Sequence, residues 1–498
     1  MFSLNMFLTD PITIVLSVII CVCLISLLYG WNRITSPNFP PGPKPLPIIG
    51  NLHIINKRAP YKTFLELAKQ YGPVYSIQIG ARKMVILCGY ETVKDALVNH
   101  AEEFSGRGTL PIFHDVNKEN GVIFANGENW KVMRRFALTT LRDFGMGKRT
   151  LEDKINEECD FLAQKLEFFK GKPFENTMII NGAIANIIVS ILLGHRFDYE
   201  DPKFLRLMSI INENIRVLAS PSVMLYNTFP SLMHWLPGNH HKIHSNVAEF
   251  QRFIRETFTD YRDKLDINDQ RNLIDVFLVK QKEEQPTGQY FHNENLVGLV
   301  GNLFVAGMET TSTTLRWGLL IMMKYPEIQK NVQNEIEKVI GSSVPQMEHR
   351  KKMPYTDAVI HEIQRFGSIV PTNLPHKTTR DISFKGYFLP KETVILPVLT
   401  SVLRDKDYFE KPDEFYPQHF LDSEGNFVRN DAFMPFSAGQ RICAGENLAR
   451  MELFLFFTRL LQKFTFRLPP GASDVDLTPT DGATRSPKRH QMCALPRS

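Results

Sequence analysis

Cys443 stands in "PFSAGQRICAGENLAR", residues 435 to 450, with Gly439 before it, Gly445 after it and Arg441 two residues upstream. A lone cysteine is usually a small buried apolar residue. Here the flanking glycines lack side chains, which lets a large flat group approach the backbone. The stretch that follows, "ENLARMELFLFFTRLLQKF", has a helical period. The sulfur is therefore expected at a helix N-terminus, where free N–H groups and the positive dipole end favour a thiolate. Arg441 adds a cation suited to a carboxylate. Together these features suit one bound iron porphyrin.

A second group is "AGMETT", residues 306 to 311, inside a helical run from about Asn293 to Lys324. Glycine inside a helix costs roughly 1 kcal/mol relative to alanine, so Ala306 and Gly307 are read as small where a flat group must come close. Glu309 and Thr310 set an acid beside a hydroxyl, a hydrogen-bond donor and a group able to relay a proton. In "HEIQRF", Glu362 and Arg365 are three apart and share a helix face as an ion pair. On their own such pairs are common and solvated. His240 and His244 in "PSLMHWLPGNHHKIH" are four apart and could share a helix face as metal ligands. No acidic residue accompanies them, and a solvated loop is the expectation.

These residues carry a resemblance to a known family. Phe436, Gly439, Arg441, Cys443 and Gly445 fill every fixed position of the haem-binding loop of cytochrome P450 monooxygenases. The stretches "EEFSGRG", "FGMGKR", "ETTSTTLRW", "MPYTDAVIHE" and "RMELFLFF" are similar to vertebrate microsomal family 2 members, and the resemblance covers essentially the whole chain. It implies haem b (iron protoporphyrin IX) as cofactor, with Cys443 as the metal ligand. It also implies Arg107, Trp130, Arg134 and His376 as contacts to the haem carboxylates beside Arg441, and Thr310 with Glu309 as the oxygen-activating pair. Glu362 and Arg365 become a buried structural pair whose third partner lies in "KPDEFYPQHF". His419 stands there where many members carry arginine, which weakens that partner. Phe124, Phe304, Ala306, Val370, Leu374 and Ala483 are implied around the substrate, under a roof formed by residues 205 to 240. Lys131, Arg135, Lys148 and Arg149 would meet an acidic NADPH–cytochrome P450 reductase, with cytochrome b5 as a second redox partner. The substrate class is lipophilic: fatty acid, steroid or xenobiotic. A haem-thiolate isomerase or dehydratase, or a non-catalytic haem sensor, would also keep the cysteine loop.

The rest of the chain must position these groups. Its 498 residues, 43% hydrophobic and 22% charged, suit an ordinary globular protein. A net charge of +5 over this length is too weak to imply a nucleic-acid binder. The six cysteines, at 21, 23, 88, 159, 443 and 493, have no spacing for a disulfide framework or a zinc site, which points to a reducing compartment. From Pro11 to Gly30 runs a stretch without charge, "PITIVLSVIICVCLISLLYG". At helical rise it is about 30 Å long, enough for a bilayer core. A cleaved signal peptide would be shorter and end in small residues, whereas this run ends in Trp31 and Arg33. An uncleaved anchor is expected, with positive charge after the span placing the body in the cytoplasm and the family resemblance placing it at the endoplasmic reticulum membrane. The expected organisation is an anchor over 1–32, a proline-rich hinge over 33–50 and a catalytic domain over 51–498. The expected fold is the cytochrome P450 fold: mainly α with a small β-sheet region and a single N-terminal transmembrane helix.

Overall fold

The computed structural model describes residues 11–31, 38–284, 288–480 and 482–497, with the side chains of 12 and 26–31 outside the description. Its contacts sort the chain into two compact units, one running to Gly108 and including Pro375–Val398, the other comprising Thr109–Leu374 and the chain from Leu399 onward.

The first unit holds the main sheet. Strands β1 (Val74–Ile79) and β2 (Arg82–Leu87) form the expected hairpin, antiparallel from Val74 opposite Leu87 to Ile79 opposite Arg82. β2 pairs in parallel with β8 (Val394–Pro397), and β8 pairs with β5 (His376–Lys377), which pairs with β3 (Gly106–Arg107). β6 (Ile382–Phe384) and β7 (Tyr387–Leu389) form a separate hairpin. Helices α2 (Pro60–Tyr71) and α3 (Tyr90–Lys94) flank β1 and β2 in the chain, and Tyr61 and Phe64 of α2 join Tyr75, Ile77 and Ile86 in a small core. The proline-rich segment is seated on β1 over its described part. Ser76 donates from its amide to the Pro41 carbonyl (2.7 Å) and from its hydroxyl to that of Pro40 (2.8 Å). A methyl on Gly42 would stand 1.9 Å from the Ser76 carbonyl oxygen, so only glycine lets the two backbones approach. Residues 33–37 of the expected hinge lie outside the described residues.

At the N-terminus α1 runs Pro11–Trp31. Among the described residues no helix is long and apolar enough to cross a membrane. The expected span needs 26–30, whose side chains fall outside the description, and residues 1–10 fall outside it as well.

The second unit is helical: α4 (Pro111–Asn117), α5 (Gly127–Asp143), α6 (Arg149–Glu167), α7 (Thr177–Leu192), α8 (Pro202–Leu218), α9 (Pro221–Thr228), α10 (Pro230–Met233), α11 (Asn239–Asp263), α12 (Leu273–Glu283), α13 (Asn293–Lys324), α14 (Pro326–Val339), α15 (Pro354–Gly367), α16 (Leu399–Leu403) and α17 (Glu446–Lys463). Six of these begin with proline after a residue that cannot continue a helix backwards, which fixes their starts. A small sheet of β4 (Phe174–Glu175), β10 (Gln491–Pro496) and β9 (Phe464–Arg467) closes one side. The 32-residue α13 packs on α7, α11, α15 and α17. It is buried on nearly every face, by apolar side chains over most of its length and by polar ones at Asn295, Asn302, Glu309 and 311–314.

The structure corrects the reading of residues 230 to 244. α11 begins at Asn239, and His240 is fully buried, stacked on Tyr226 at 4.6 Å between ring centroids. The segment is packed helix from that point, not solvated loop. No group of three or more metal-ligating side chains occurs among the described residues.

Glu452 of α17 is enclosed in this core, hydrogen-bonded to Thr311 of α13, and its Oε1 has no partner among the described residues. Burial pushes its carboxyl from 4.5 up to about 8. The folded state then holds a proton that the unfolded chain releases, so this group's contribution to stability falls as pH rises from about 4.5 to about 8. Relative to Glu452→Gln, the wild type should lose up to ~1.4 kcal/mol per pH unit in that window. Denaturant unfolding of both proteins across it would show parallel pH profiles if the carboxyl were ionised throughout.

Candidate functional site

The loop before α17 is shaped by its backbone. Ser437 and Gly439 have φ of 63° and 72°, and a single 3₁₀ turn spans Gly439–Arg441. The Ile442 amide donates to the Gly439 carbonyl (3.1 Å) and the Cys443 amide to that of Phe436 (3.0 Å), folding the ten residues back on themselves. Asn373 donates from Nδ2 to the Ser437 hydroxyl at 2.9 Å, bracing the loop. Gly445 is the N-cap of α17, and its N–H bonds the Cys443 sulfur. A methyl on Gly445 would meet only that sulfur, at 3.9 Å.

Two observations about Cys443 conflict at first sight. Its side chain is exposed, yet burial is the largest influence on its thiol and pushes the pKa up, against the Gly445 N–H and the Arg134 guanidinium, which pull it down. A sulfur recessed in the protein yet open on one side satisfies both. α13 shows the same sign. Between Asn295 and Lys324, Ala306 is its one exposed residue. Thr310, a turn later, is half-buried and donates from Oγ1 to the Ala306 carbonyl at 2.8 Å.

Arg441 is buried. Its Nη2 donates to the Ala125 carbonyl (2.9 Å), and its guanidinium lies 3.7 Å over the Trp130 ring, a stacked cation–π contact. The indole Nε1 of Trp130 is a buried donor with no acceptor among the described residues. Arg134 donates from Nη2 to the Ile442 carbonyl at 2.5 Å, so it braces the cysteine loop directly. In the other unit Arg107 and His376 are opposite one another on β3 and β5, both buried, with His376 Nδ1 2.7 Å from the Phe104 carbonyl. An accessible thiol at a helix start, an orphaned buried donor and a buried cation stacked on Trp130 fit a flat anionic group carrying a metal. The donor set suits haem.

The expected structural pair is fully enclosed. Glu362 and Arg365 have no solvent exposure, and the guanidinium places all five N–H groups: on Glu362 Oε2 and Oε1 (2.7 Å each) and on the carbonyls of Leu403 (2.9 Å), Pro412 (2.7 Å) and Glu414 (2.7 Å). His419 does not leave the network short. Its Nε2 accepts from the Lys411 amide (3.1 Å), which assigns the proton to Nδ1, 3.2 Å from Glu362 Oε2.

Other expected residues take different places. Gly307 does not face the open side: a methyl there would stand 2.6 Å from Cδ1 of Ile188, so its smallness serves the α13–α7 contact. Phe304 is buried on Phe250 and lines a small apolar cavity, about 20 Å3, with Val189, Leu207 and Ile274. Two residues before Ala306, it points about 200° away round the helix. Glu309 turns towards Thr484 and Ser486. Phe124 is buried against Phe113, rings 4.4 Å apart; Val370 and Leu374 are half-buried, and Ala483 is exposed. Phe436 lies under Arg450 at 5.1 Å. Lys131, Arg135, Lys148 and Arg149 are exposed. Sequence reading missed Asn295 and Asn302. Asn302 Oδ1 accepts the amides of Val122 and Ile123 (3.0 Å each) and Asn295 Oδ1 that of Gly121 (2.9 Å), docking the loop that carries Phe124 onto α13. Two asparagines seven apart on an otherwise apolar helix were the available signal.

A cytochrome P450 family model matches residues 40–494. The chain belongs to the cytochrome P450 family. It is 49% identical over 463 residues to cytochrome P450 2K4 of Oncorhynchus mykiss, covering 92% of each chain. It is also 47% identical over 482 residues to cytochrome P450 2C8 of Homo sapiens (96% and 98%), and 47% over 466 residues to cytochrome P450 2B19 of Mus musculus (93% and 95%). These relatives support a vertebrate family 2 P450: a monooxygenase whose cofactor is haem b, held in the family by a cysteine thiolate. Family 2 relatives are microsomal.

Removing one partner of the Glu362–Arg365 pair strands a buried charge, at about 3–5 kcal/mol. Glu362→Ala and Arg365→Ala should each lower the unfolding midpoint sharply, and the double variant by much less than their sum. Additive losses in thermal unfolding would mean that the two residues act independently.

Proposed function

We propose that this P450 inserts one oxygen atom of dioxygen into a lipophilic substrate, a fatty acid, steroid or xenobiotic, using electrons that a flavoprotein reductase takes from NADPH. The observation that carries the reading is the accessible sulfur of Cys443 at the start of α17. The other cysteines described in the same unit, Cys159 and Cys493, are buried. When bound, haem supplies dioxygen binding and reductive O–O cleavage.

The chain's residues do the rest. Cys443 is the metal ligand, and Gly439 and Gly445 keep its surroundings clear. Arg441 and Trp130 supply buried donors for carboxylates, and the family pattern adds Arg134, Arg107 and His376. Thr310 holds a proton at Oγ1 on the Ala306 carbonyl and can release it by rotating about χ1 while the oxygen accepts another from water. Phe124, Ala306, Val370, Leu374 and Ala483 form the apolar surroundings of the substrate; Phe304 faces elsewhere. Exposed Lys131, Arg135, Lys148 and Arg149 favour an acidic redox partner, the reductase, with cytochrome b5 as a second.

An N-terminal anchor in the endoplasmic reticulum membrane, with the body facing the cytoplasm, completes the reading. It is supported by α1 having 21 residues and no charge, about 31 Å of helix.

The reduced protein should give the thiolate-type carbon monoxide difference spectrum, and Cys443→Ala should abolish both that spectrum and oxygenation. Thr310→Ala should keep the spectrum but divert NADPH-derived electrons to peroxide, by about 10-fold or more relative to product, the scale of one lost proton-transfer group. An imidazole-type spectrum in folded wild-type protein would defeat the Cys443 assignment; unchanged coupling would remove Thr310 from the relay.

A further inference from the structure

The carboxylate of Glu309 is 5% exposed and turned away from its neighbour Thr310. Its Oε1 accepts from the hydroxyl of Thr484 (2.8 Å), from that of Thr313 (3.2 Å) and from that of Ser486 (3.4 Å). Thr484 and Ser486 belong to the connection before β10, and their hydroxyls are 3.2 Å apart. Ser486 in turn closes a turn by accepting from the Thr480 amide at 2.8 Å. The same loop is tied elsewhere at its edges: the Arg485 amide to the Ile369 carbonyl (2.9 Å), the Trp317 indole to the Arg485 carbonyl (2.8 Å) and the Ala483 amide to the Ile215 carbonyl of α8 (3.3 Å). Glu309 is thus the one carboxylate on which the loop's two hydroxyls converge, and between them and α8 stands the exposed Ala483.

We propose that Glu309 is a positioning residue that sets the place of the 482–487 loop through Thr484 and Ser486, and thereby which ligand shapes the pocket beside Ala483 accepts. This rests on the reading of Ala483 as a pocket residue. An acid beside a hydroxyl in a helix looks like a proton-relay pair, but successive helical side chains diverge by about 100°. Thr310 faces the open notch; Glu309 faces the loop. One Glu309 oxygen accepts from three hydroxyls at once, which gives the loop a single anchor point. Burial outweighs the pull of Thr484, Thr313, Ser486 and nearby Arg316 and holds the Glu309 carboxyl above its ordinary range.

The test uses the full-length haem protein with Glu309→Gln, Thr484→Val, Thr484→Ser and the double variant Glu309→Gln/Thr484→Val. Amide exchange over 480–487 is measured by mass spectrometry, and the affinities of imidazole and 4-phenylimidazole are measured by the haem band shift. Imidazole is too small to report on the loop, so the ratio of the two isolates pocket shape from haem integrity. Loss of one such hydrogen bond should speed exchange by about fivefold to tenfold in both Glu309→Gln and Thr484→Val. It should also move the affinity ratio by about threefold or more in the same direction. The double variant should do no worse than the stronger single one, and Thr484→Ser should restore protection. Wild-type exchange and affinity ratio in Thr484→Val would overturn the proposal, as would additive effects in the double variant. Faster exchange with an unmoved ratio would overturn the pocket role of Ala483 alone. Exchange is read without turnover, so a failure of the monooxygenase reading leaves it decisive.

Discussion

A helix buried on every side and still open at one point is the constraint on which the rest of the second unit depends. α13 is 32 residues long and buried nearly all round, yet Ala306 in its middle is exposed. Neighbours must fill every other direction tightly without closing that one. Gly307 shows how close they come, with Ile188 of α7 occupying the space of the missing methyl. On another face Gly298 would place a methyl 2.8 Å from the Gly121 amide nitrogen, so the loop leading to Phe124 lies directly on the helix and is pinned by Asn295 and Asn302. An apolar helix cannot hold a loop by packing alone, because the loop's N–H groups must be satisfied once water is excluded. The two asparagines meet that need.

Arginine is buried in two contrasting ways. Arg365 places each of its five donors on an oxygen, so its charge is compensated inside the protein and the position has little freedom to serve a ligand. The role that follows is to tie α15 to the 403–419 segment. Arg441 instead spends a donor on the Ala125 carbonyl and rests its face on Trp130. Stacking is a different form of compensation from a carboxylate. The same residue type is therefore surrounded by oxygens at one site and laid on an aromatic ring at the other, and the difference lies in what the backbone brings to it.

The sequence made the secondary structure of this protein unusually plain where periodicity was strong. The β1–β2 hairpin, the limits of α13 and the start of α17 after Gly445 all follow from pattern and turn chemistry. Glycine on both sides of Cys443 is likewise a local signal, which is why this cysteine stands out from the other five in the sequence. Direction was not legible. Ala306 and Gly307 looked alike as small residues, and only the position of α7 shows that one is open and the other filled. Phe304 was placed near the substrate because large apolar residues on that helix qualify equally until the angle round the axis is known. His240 was read as loop because a histidine-rich, proline-flanked stretch looks solvated, whereas burial beside Tyr226 extends α11 through it. Partnership across hundreds of residues, such as Thr484 with Glu309, leaves no trace in local pattern at all.

The run "ETTSTT", residues 309 to 314, sharpens the point. Read as a motif it is one polar cluster; on a helix its members fan out by about 100° each. Thr310 donates to the Ala306 carbonyl, Ser312 to that of Glu309 and Thr314 to that of Thr310, bonds that satisfy the hydroxyls locally and soften the helix. Thr313 turns to the Glu309 carboxylate and Thr311 to Glu452. One hydroxyl of the five therefore reaches the notch at Ala306. The others hold together the helix, the C-terminal loop and α17. Thr310 is bonded to the Ala306 carbonyl in the same way, so what sets it apart from its neighbours is direction: it lies one turn from the exposed Ala306 on the same face of the helix.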